Sequence, residues 1–390
     1  MASRLPASFT RFSAQNLAIL GPLRSGAADS KADLAKVTGL SPSTITARID
    51  ELIGLGHVVE VGDGVSRGGR RPRTLALRRD AGIVGCVDLG VDRTSIGLVD
   101  LSGALLARGD LDLDISSGPD VVLAEVWSAL EALLASDTEH SRRLLRGVSV
   151  GVPGPVSSES GRVVAPSRMP GWNGTDVARI LGGIAGVPIL VNNDANLMAV
   201  GEFASGDRME PNQVFVKAGS GIGCGIIARG ELFVGSRGAA GDISHVAVPD
   251  APPVPCSCGR YGCLDALASG NALVRELQNA GLEVANVEAM IALARDADPV
   301  ATRLLREAGS MTGGVLASIV NFFNPGRLIV GGVLSQSEVF VAGLRSTLYA
   351  QCLPMATDQL TITTPLRPGD CGLLGAGTVF LDRLFSERGL

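Results

Sequence analysis

Aromatic residues are scarce in this chain: 4% of 390 residues, with two Trp and two Tyr, and histidine occurs only three times. Long apolar runs are missing as well. No stretch approaches the ~20 consecutive apolar residues of a membrane helix, so a membrane-embedded protein is not expected. The opening residues, "MASRLPASFTRFSAQNLAILG", lack a charged segment followed by a clean apolar core and a cleavage site, which argues against a secretory signal. Seven cysteines, an odd number, without an export signal argue against a disulfide framework and for a reducing, cytoplasmic setting. The length predicts two or three domains rather than one.

Charge is present but unevenly divided. Residues 1–80 carry 12 Lys+Arg and 7 Asp+Glu, a balance of +5, whereas residues 81–390 carry 22 and 32, a balance of −10. A basic head on an acidic body suits a polyanion-binding module attached to something else, although a solvated basic face has the same composition.

The head has a legible grammar. "SAQNLAILGPLRSG" places Leu17, Ile19 and Leu20 on a first helix that ends at a glycine. In "DSKADLAKVTGLSPSTITARIDELIGLGHV", Ser30 caps a second helix with Leu34, Ala35 and Val37 inward, and Gly39 ends it. Ser41 caps a third helix with Pro42 at its first position. Ile45, Ile49, Leu52 and Ile53 form its buried stripe, leaving Ser43, Thr44, Thr46 and Arg48 outward. Short hydroxyls and an arginine near the start of such a helix are what a major-groove reader presents to bases and phosphates. A strand, a Gly-rich turn bearing Arg67, Arg70, Arg71 and Arg73, and the strand "TLAL" follow. Residues 1–80 are therefore expected to be a winged helix-turn-helix that binds double-stranded DNA, its wing arginines on the phosphate backbone. A helical protein-interaction domain is the competing reading.

From Gly82 the pattern changes. Three strands joined by turns lead into the helix "DVVLAEVWSALEALLAS" and the strand "LRGVSVGVPGPV"; "VPILVNNDANLMAVGEFASG" runs from strand into helix. A hairpin around "AGSGIG", the helix "SMTGGVLASIVNFFNP", the strand "RLIVGG" and the helix "CGLLGAGTVFLDRLF" close the chain. Hairpins opening two halves of alternating strands and helices imply a bilobed α/β body. Within it, "CSCGRYGCLD" sets Cys256, Cys258 and Cys263 within eight residues, either a metal site, a redox pair or small core residues.

The motifs "VDLGVDRTS", "GVPGPV", "NNDANLMAVGE", "KAGSGIGCGII", "GAAGDISH" and "CSCGRYGCLD", in this order and spacing, resemble the ROK family of repressors, open reading frames and sugar kinases. With the winged head in front, the resemblance is to its repressor branch and covers nearly the whole chain. It implies an actin-like, ribonuclease-H-like body over residues 81–390. Lobe I takes about 81–198 plus a C-terminal helix over about 373–390, and lobe II takes about 199–372 with the metal site.

One imidazole, His245, and the thiolates of Cys256, Cys258 and Cys263 match a closed structural Zn²⁺ site, and the similar ROK motif binds zinc through the corresponding residues. Gly259 and Gly262 allow the turn this needs, while C-x-C lacks the C-x-x-C helix start of a redox pair. The resemblance implies a sugar cleft formed by Asn193, Asp194, Asp242, His245 and Asp265. In the kinases the residue matching Asp194 is the general base. Asp242 and Asp265 stand where Glu is common, one methylene shorter, and Ser244 replaces a Gly. Ser167 and Arg168 lie where an Asn is common, and Arg168 raises the alternative of a phosphorylated sugar.

The nucleotide signature is damaged. ROK kinases resemble D-x-G-G-T at the first phosphate loop; here Asp88 and Gly90 are kept, but Val91 and Asp92 follow. A β-branched side chain blocks close approach of phosphates, and a nearby carboxylate repels them by roughly 1 kcal/mol even in water. Arg93 offsets part of this. The second loop, Gly219, Ser220 and Gly221, is nearly intact. ATP and Mg²⁺ are thus not expected as working cofactors.

The resulting expectation is a sugar-responsive transcriptional regulator, a repressor of carbohydrate genes, binding operator DNA as a homodimer or tetramer and a monosaccharide or derivative in the cleft. The alternatives are an ATP-dependent, glucokinase-like sugar kinase and an architectural DNA-binding protein with a vestigial pocket.

Overall fold

The computed structural model describes residues 12–63, 73–136, 144–206 and 208–386. The head comprises helices α1 (Ala14–Ser25), α2 (Lys31–Thr38) and α3 (Pro42–Gly54), then strands β1 (Val58–Asp63) and β2 (Arg73–Leu77), which pair antiparallel. Each helix begins at a serine whose hydroxyl accepts a backbone N–H: Ser13 from Asn16, Ser30 from Asp33 and Ser41 from Thr44. Gly39 ends α2 at φ 70°, the left-handed region a glycine adopts without a Cβ penalty.

Ile19, Leu20, Leu34, Ile45, Ile49 and Leu52 are fully buried. Two residues expected inward are not: Val37 is 54% and Ile53 36% exposed. Both lie at the last turn of their helices, beyond the reach of α1, so helical spacing alone overextends the buried stripe.

The body contains two five-stranded sheets with the same internal logic. The first is built from β3 (Ile83–Asp88), β4 (Thr94–Asp100), β5 (Leu105–Leu111), β6 (Leu145–Val152) and β7 (Ile189–Asn193), in the order β5-β4-β3-β6-β7. Helices α4 (Pro119–Ser136) and α5 (Val177–Ala185) lie between its later strands in sequence, and α6 (Asp194–Ser205) leaves its last strand. The second contains β8 (Gln213–Ala218), β9 (Ile222–Ala228), β10 (Glu231–Leu232), β11 (Arg327–Gly331) and β12 (Thr361–Thr363), in the order β10-β9-β8-β11-β12. In each sheet the first three strands are antiparallel and the last two are added in parallel. Helices α7 (Leu264–Ala268), α8 (Gly270–Asn279), α9 (Val287–Arg295), α10 (Pro299–Phe323), α11 (Glu338–Gln351) and α12 (Pro354–Thr357) belong to the second half, and α13 (Cys371–Leu384) closes the described chain.

Strand alternation sends side chains to opposite faces. Ile83 and Val87 pack towards α4, whereas Val84 and Cys86 pack with Phe380 of α13, which thus returns to the first sheet. In the second sheet Val214, Val216, Leu328 and Val330 face the helices α7 to α11, and Phe215 and Ile329 face α6. Helices α6 and α13 touch backbone to backbone. A Cβ on Gly201 would stand 1.9 Å from the Cys371 carbonyl, and one on Gly375 1.8 Å from that of Leu197.

The head rests on the far end of α13. Ile19, Leu20 and Leu52 share one apolar cluster with Phe380, Leu381 and Phe385. Arg24 pairs with Asp382 at 2.7 Å, and Phe12 stacks on Phe385. Among the described residues no helix is long and apolar enough to cross a membrane.

Candidate functional site

Strand ends from both sheets converge on a cleft that is open to solvent. Asn193 and Asp194 reach it from the junction of β7 and α6, Lys217 from β8, and Ser220 and Gly221 from the turn after β8.

Asn193 is the cap of α6: its Oδ1 accepts from Asn196 N (3.1 Å), while its Nδ2 donates to Gly154 O (3.2 Å) and to Asp194 Oδ1 (3.1 Å). Capping and cavity lining are therefore combined in one residue, and the cap holds Asp194 in place. Asp194 is buried; its Oδ1 also accepts from Ala195 N at 2.7 Å, and its Oδ2 accepts from Lys217 Nζ. Behind them stands Asp88, at the end of β3 and outside the cavity lining. Burial pushes its carboxyl up to about 6, opposed by Lys217 and Arg108 and reinforced by Asp194. Burial works against the Lys217 ammonium too, but Asp194 and Asp88 outweigh it and hold its pKa above the ordinary value.

A second ion pair crosses the cleft. Arg168, from the segment after β6, donates to Asp265 Oδ2 of α7 through Nε (3.1 Å) and a terminal nitrogen (2.7 Å). The other oxygen of Asp265 accepts from Ile222 N at 3.0 Å. Asp265, expected to face a sugar, is thus engaged on both oxygens; it lines an adjoining cavity together with Arg168, which lines both. Asp242 is exposed on the cavity wall, and His245 lines it from beside the cysteine cluster.

That cluster brings together His245, Cys256, Cys258 and Cys263, whose ligand atoms all lie within 4.8 Å of one another. Backbone bridges Ala247–Cys263 and Pro255–Tyr261 fold the loop, and Gly259 (φ 85°) and Gly262 (φ 67°) make its turns. Cys258 and Cys263 sulfurs are 3.7 Å apart and Cys256 Sγ is 3.5 Å from His245 Nδ1. A tetrahedron with metal–sulfur bonds of about 2.3 Å has edges of roughly 3.8 Å, so the donors fit a zinc-sized ion. The group can hold a metal.

Comparison with known proteins agrees with this geometry. The ROK family model matches residues 84–383. This chain belongs to the ROK family. The xylose repressor of Caldicellulosiruptor bescii is 30% identical over 334 residues, covering 82% of this chain and 83% of the relative. Among solved structures, a ROK family transcriptional regulator, a homologue of the E. coli MLC protein, superposes with TM-score 0.79 at 25% identity, covering 95% of this chain and 96% of its own. A ROK family glucokinase from Streptomyces griseus, in complex with glucose and AMPPNP, superposes with TM-score 0.65 at 27% identity, covering 76% and 99%.

Against the ROK kinase pattern, the first phosphate loop is obstructed in space as well as in sequence. Gly90 turns so tightly that a Cβ would stand 2.2 Å from Arg93 O, and Val91 projects onto the cavity wall. Asp92 is exposed, and Arg93 turns away to Asp110 of β5 at 3.0 Å instead of offsetting Asp92. The second loop is tied down by Gly219 N to Gly221 O (2.9 Å) and Gly270 N to Gly219 O (2.8 Å). Arg168 lies over its Gly221, where a Cβ would meet the guanidinium at 2.7 Å.

On the head, Ser43 and Thr46 are exposed at the start of α3, while Thr44 and Arg48 are half-buried. The Ser41 hydroxyl touches those of Ser43 (2.9 Å) and Thr44 (2.8 Å), and Arg48 pairs with Glu51 at 2.5 Å. Arg67, Arg70 and Arg71 lie outside the described residues. Two cavity residues escaped the sequence reading: Lys217, concealed as one polar residue in an apolar strand, and Asn196, the last residue of the quoted "NNDAN". A lysine beside a Gly-rich loop was the available signal.

Proposed function

We propose that this protein is a sugar-responsive transcriptional repressor of carbohydrate genes, in which the head binds operator DNA and the cleft binds a monosaccharide or derivative. The observation that carries this reading is coverage: the regulator structure matches 95% of the chain, head included, whereas the glucokinase matches 76%. In this reading Ser43, Thr44, Thr46 and Arg48 face the major groove and Arg67, Arg70 and Arg71 the phosphates. Asp194, Asn193, Asp242 and His245 serve the sugar, with Asp265 acting through Arg168. The cytoplasm is its place of action, and two copies supply the two heads of a palindromic operator.

The metal is Zn²⁺, held by His245, Cys256, Cys258 and Cys263; bound there, it supplies a structural crosslink and no open position for chemistry. His245 couples it to the cavity, because the ring lines one and ligates the other.

Signal transfer runs through α13. Gly372 packs on the Asp88 carboxylate, where a Cβ would come within 2.2 Å, and the other end of the same helix carries Phe385 and Asp382 against the head. Cleft closure that shifts Asp88 therefore tilts the platform of the head, and a ligand preferring the closed state shifts the population of head arrangements.

A kinase is the second reading, favoured by the intact Ser220 loop. One experiment separates the two. Zinc-loaded protein is melted against monosaccharides, their phosphates and N-acetyl sugars, with and without Mg·ATP, and each stabilising sugar is added to an operator-binding assay. A sensor gives a sugar whose stabilisation is indifferent to ATP and whose presence changes DNA affinity. A kinase gives a sugar effect that grows with ATP, together with phosphorylated product.

A further inference from the structure

Lys217 sits where three elements of the cleft meet. Its side chain is 19% exposed, its ammonium donates to Asp194 Oδ2, and no other side-chain hydrogen bond of Lys217 is present among the described residues. An ammonium has three donors, which leaves two without a protein partner among the described residues on a side chain that lines the cavity. Asn196 lines the same cavity and is 3% exposed; its Nδ2 donates to Asn192 Oδ1 at 3.3 Å. Its Oδ1 is buried and without a partner among the described residues. That oxygen has no accessible surface, so Asn196 packs behind the wall and leaves the cavity-facing acceptor to Asp194. Asp194 Oδ1 already accepts two bonds, which leaves its free capacity on Oδ2, beside the ammonium.

We propose that Lys217 is the positioning and specificity-determining residue of the effector site: it holds Asp194 as half of an internal ion pair and, with Asp194 Oδ2, offers a donor and an acceptor to one uncharged sugar hydroxyl. The inference rests on the sugar-responsive reading above and names its ligand class. Charge makes the selection. Lys217 is compensated by Asp194 and Asp88, and Arg168, the other cation on the wall, is committed to Asp265. Asp242 adds a further carboxylate at the wall. A phosphate or a sugar acid meets cations already neutralised and carboxylates that repel it, whereas a neutral hydroxyl accepts from Nζ and donates to an oxygen. The ammonium on Oδ2 takes one of its acceptor positions and lowers its basicity, so Asp194 accepts from a hydroxyl without deprotonating it.

The test uses the full-length, zinc-loaded protein and its Lys217→Met and Asn196→Ala variants. Calorimetric titrations compare glucose, xylose and N-acetylglucosamine with glucose 6-phosphate and gluconate. In parallel, the ¹³C-carboxyl titration of Asp88 is followed without any sugar. Asp88 faces Lys217 of β8, Asp194 of α6 and Arg108 of β5, the last paired with Asp110 and Asp370.

The expected result is a neutral sugar that binds at least tenfold more tightly than either anion. Lys217→Met weakens it tenfold or more, Asn196→Ala, whose Oδ1 does not reach the cavity, changes it far less and leaves the ion pair intact, and the Asp88 midpoint in Lys217→Met moves upward from about 6. A residue that merely fills space does not move that midpoint. Tighter binding of the phosphate, with a normal operator response, overturns the ligand class and leaves the repressor reading standing. Unchanged sugar affinity and an unchanged Asp88 midpoint in Lys217→Met overturn the role of Lys217. An Asp88 midpoint that moves, in a protein whose operator binding ignores every sugar, upholds the ion pair and overturns the repressor reading instead.

Discussion

Two polar clusters flank the same cavity, and they solve the same electrostatic problem differently. His245 and the three cysteines gather four donor atoms around a centre that can take a metal ion. Asp88 and Asp194 gather carboxylates around Lys217, a cation the chain carries itself. The first is completed by a solute for which a chelator competes. The second is permanent, assembled by folding alone. The cleft thus has one staple that can be removed and one that cannot.

Removing the first staple gives the largest effect. Cys263→Ser lowers metal affinity by more than the ~10–100-fold typical of an outer-sphere partner, and dialysis against a strong chelator strips the ion from the unchanged site. It also releases the loop from His245 to Cys263, seen as lost hydrogen-exchange protection and weakened sugar binding. A loop that stays protected without metal would make both clusters permanent and erase the contrast.

Breaking the second staple comes next. Lys217→Met leaves two carboxylates uncompensated and lowers stability by about 3–5 kcal/mol, the cost of removing one partner of a buried pair. Adding Asp194→Asn restores much of the loss, so the double-mutant cycle in denaturant unfolding shows strong coupling. Independent effects would mean the ammonium is solvated by the cavity instead.

The pH dependence of the second cluster is smaller. The folded Asp88 value, about 6, lies above the ordinary one, so the folded state binds the extra proton and stability from this group is lost as pH rises from about 4 to about 6. The loss is at most about 3 kcal/mol, at roughly 1.4 kcal/mol per pH unit between the two values. Asp88→Asn flattens that segment of the melting-temperature profile.

Asp265→Asn sharpens the comparison further, because it halves the charge of the Arg168 pair while keeping an acceptor for Ile222 N. A cost of about 1–2 kcal/mol is expected, read from unfolding curves. Smallest is Arg24→Ala at the seam between head and body. Its partner Asp382 is 64% exposed, so the stability change stays below about 1 kcal/mol. The coupling of sugar to operator binding is its more sensitive readout.

The two clusters were also unequally legible. Cys256, Cys258 and Cys263 lie in one loop, and His245 lies eleven residues upstream of its first cysteine, so local spacing announces the site. The head was legible for the same reason: Ser30, Ser41, Pro42 and Gly39 are helix boundaries written in adjacent residues. Its stripe was read too generously at Val37 and Ile53, where packing rather than periodicity decides burial. Asp88, Asp194 and Lys217 come from three elements, and spacing reveals no relation among them. Asp265 was read as a cavity residue from its match to a family Glu; its partner Arg168, 97 residues away in sequence, could not be read from spacing.

The sequence by itself determined the winged head, the two lobes of alternating strands and helices, the metal-binding loop and the obstructed first phosphate loop. Each is a matter of hydrophobic period, capping or the absence of a Cβ within a few residues. Tertiary structure decided which charges meet: that Lys217 closes on Asp194, that Arg168 is spent on Asp265, and that α13 backs the cleft with one end and carries the head on the other. Coulomb energy and desolvation depend on distance and burial in three dimensions, and the order of residues along the chain does not contain either until the chain has folded.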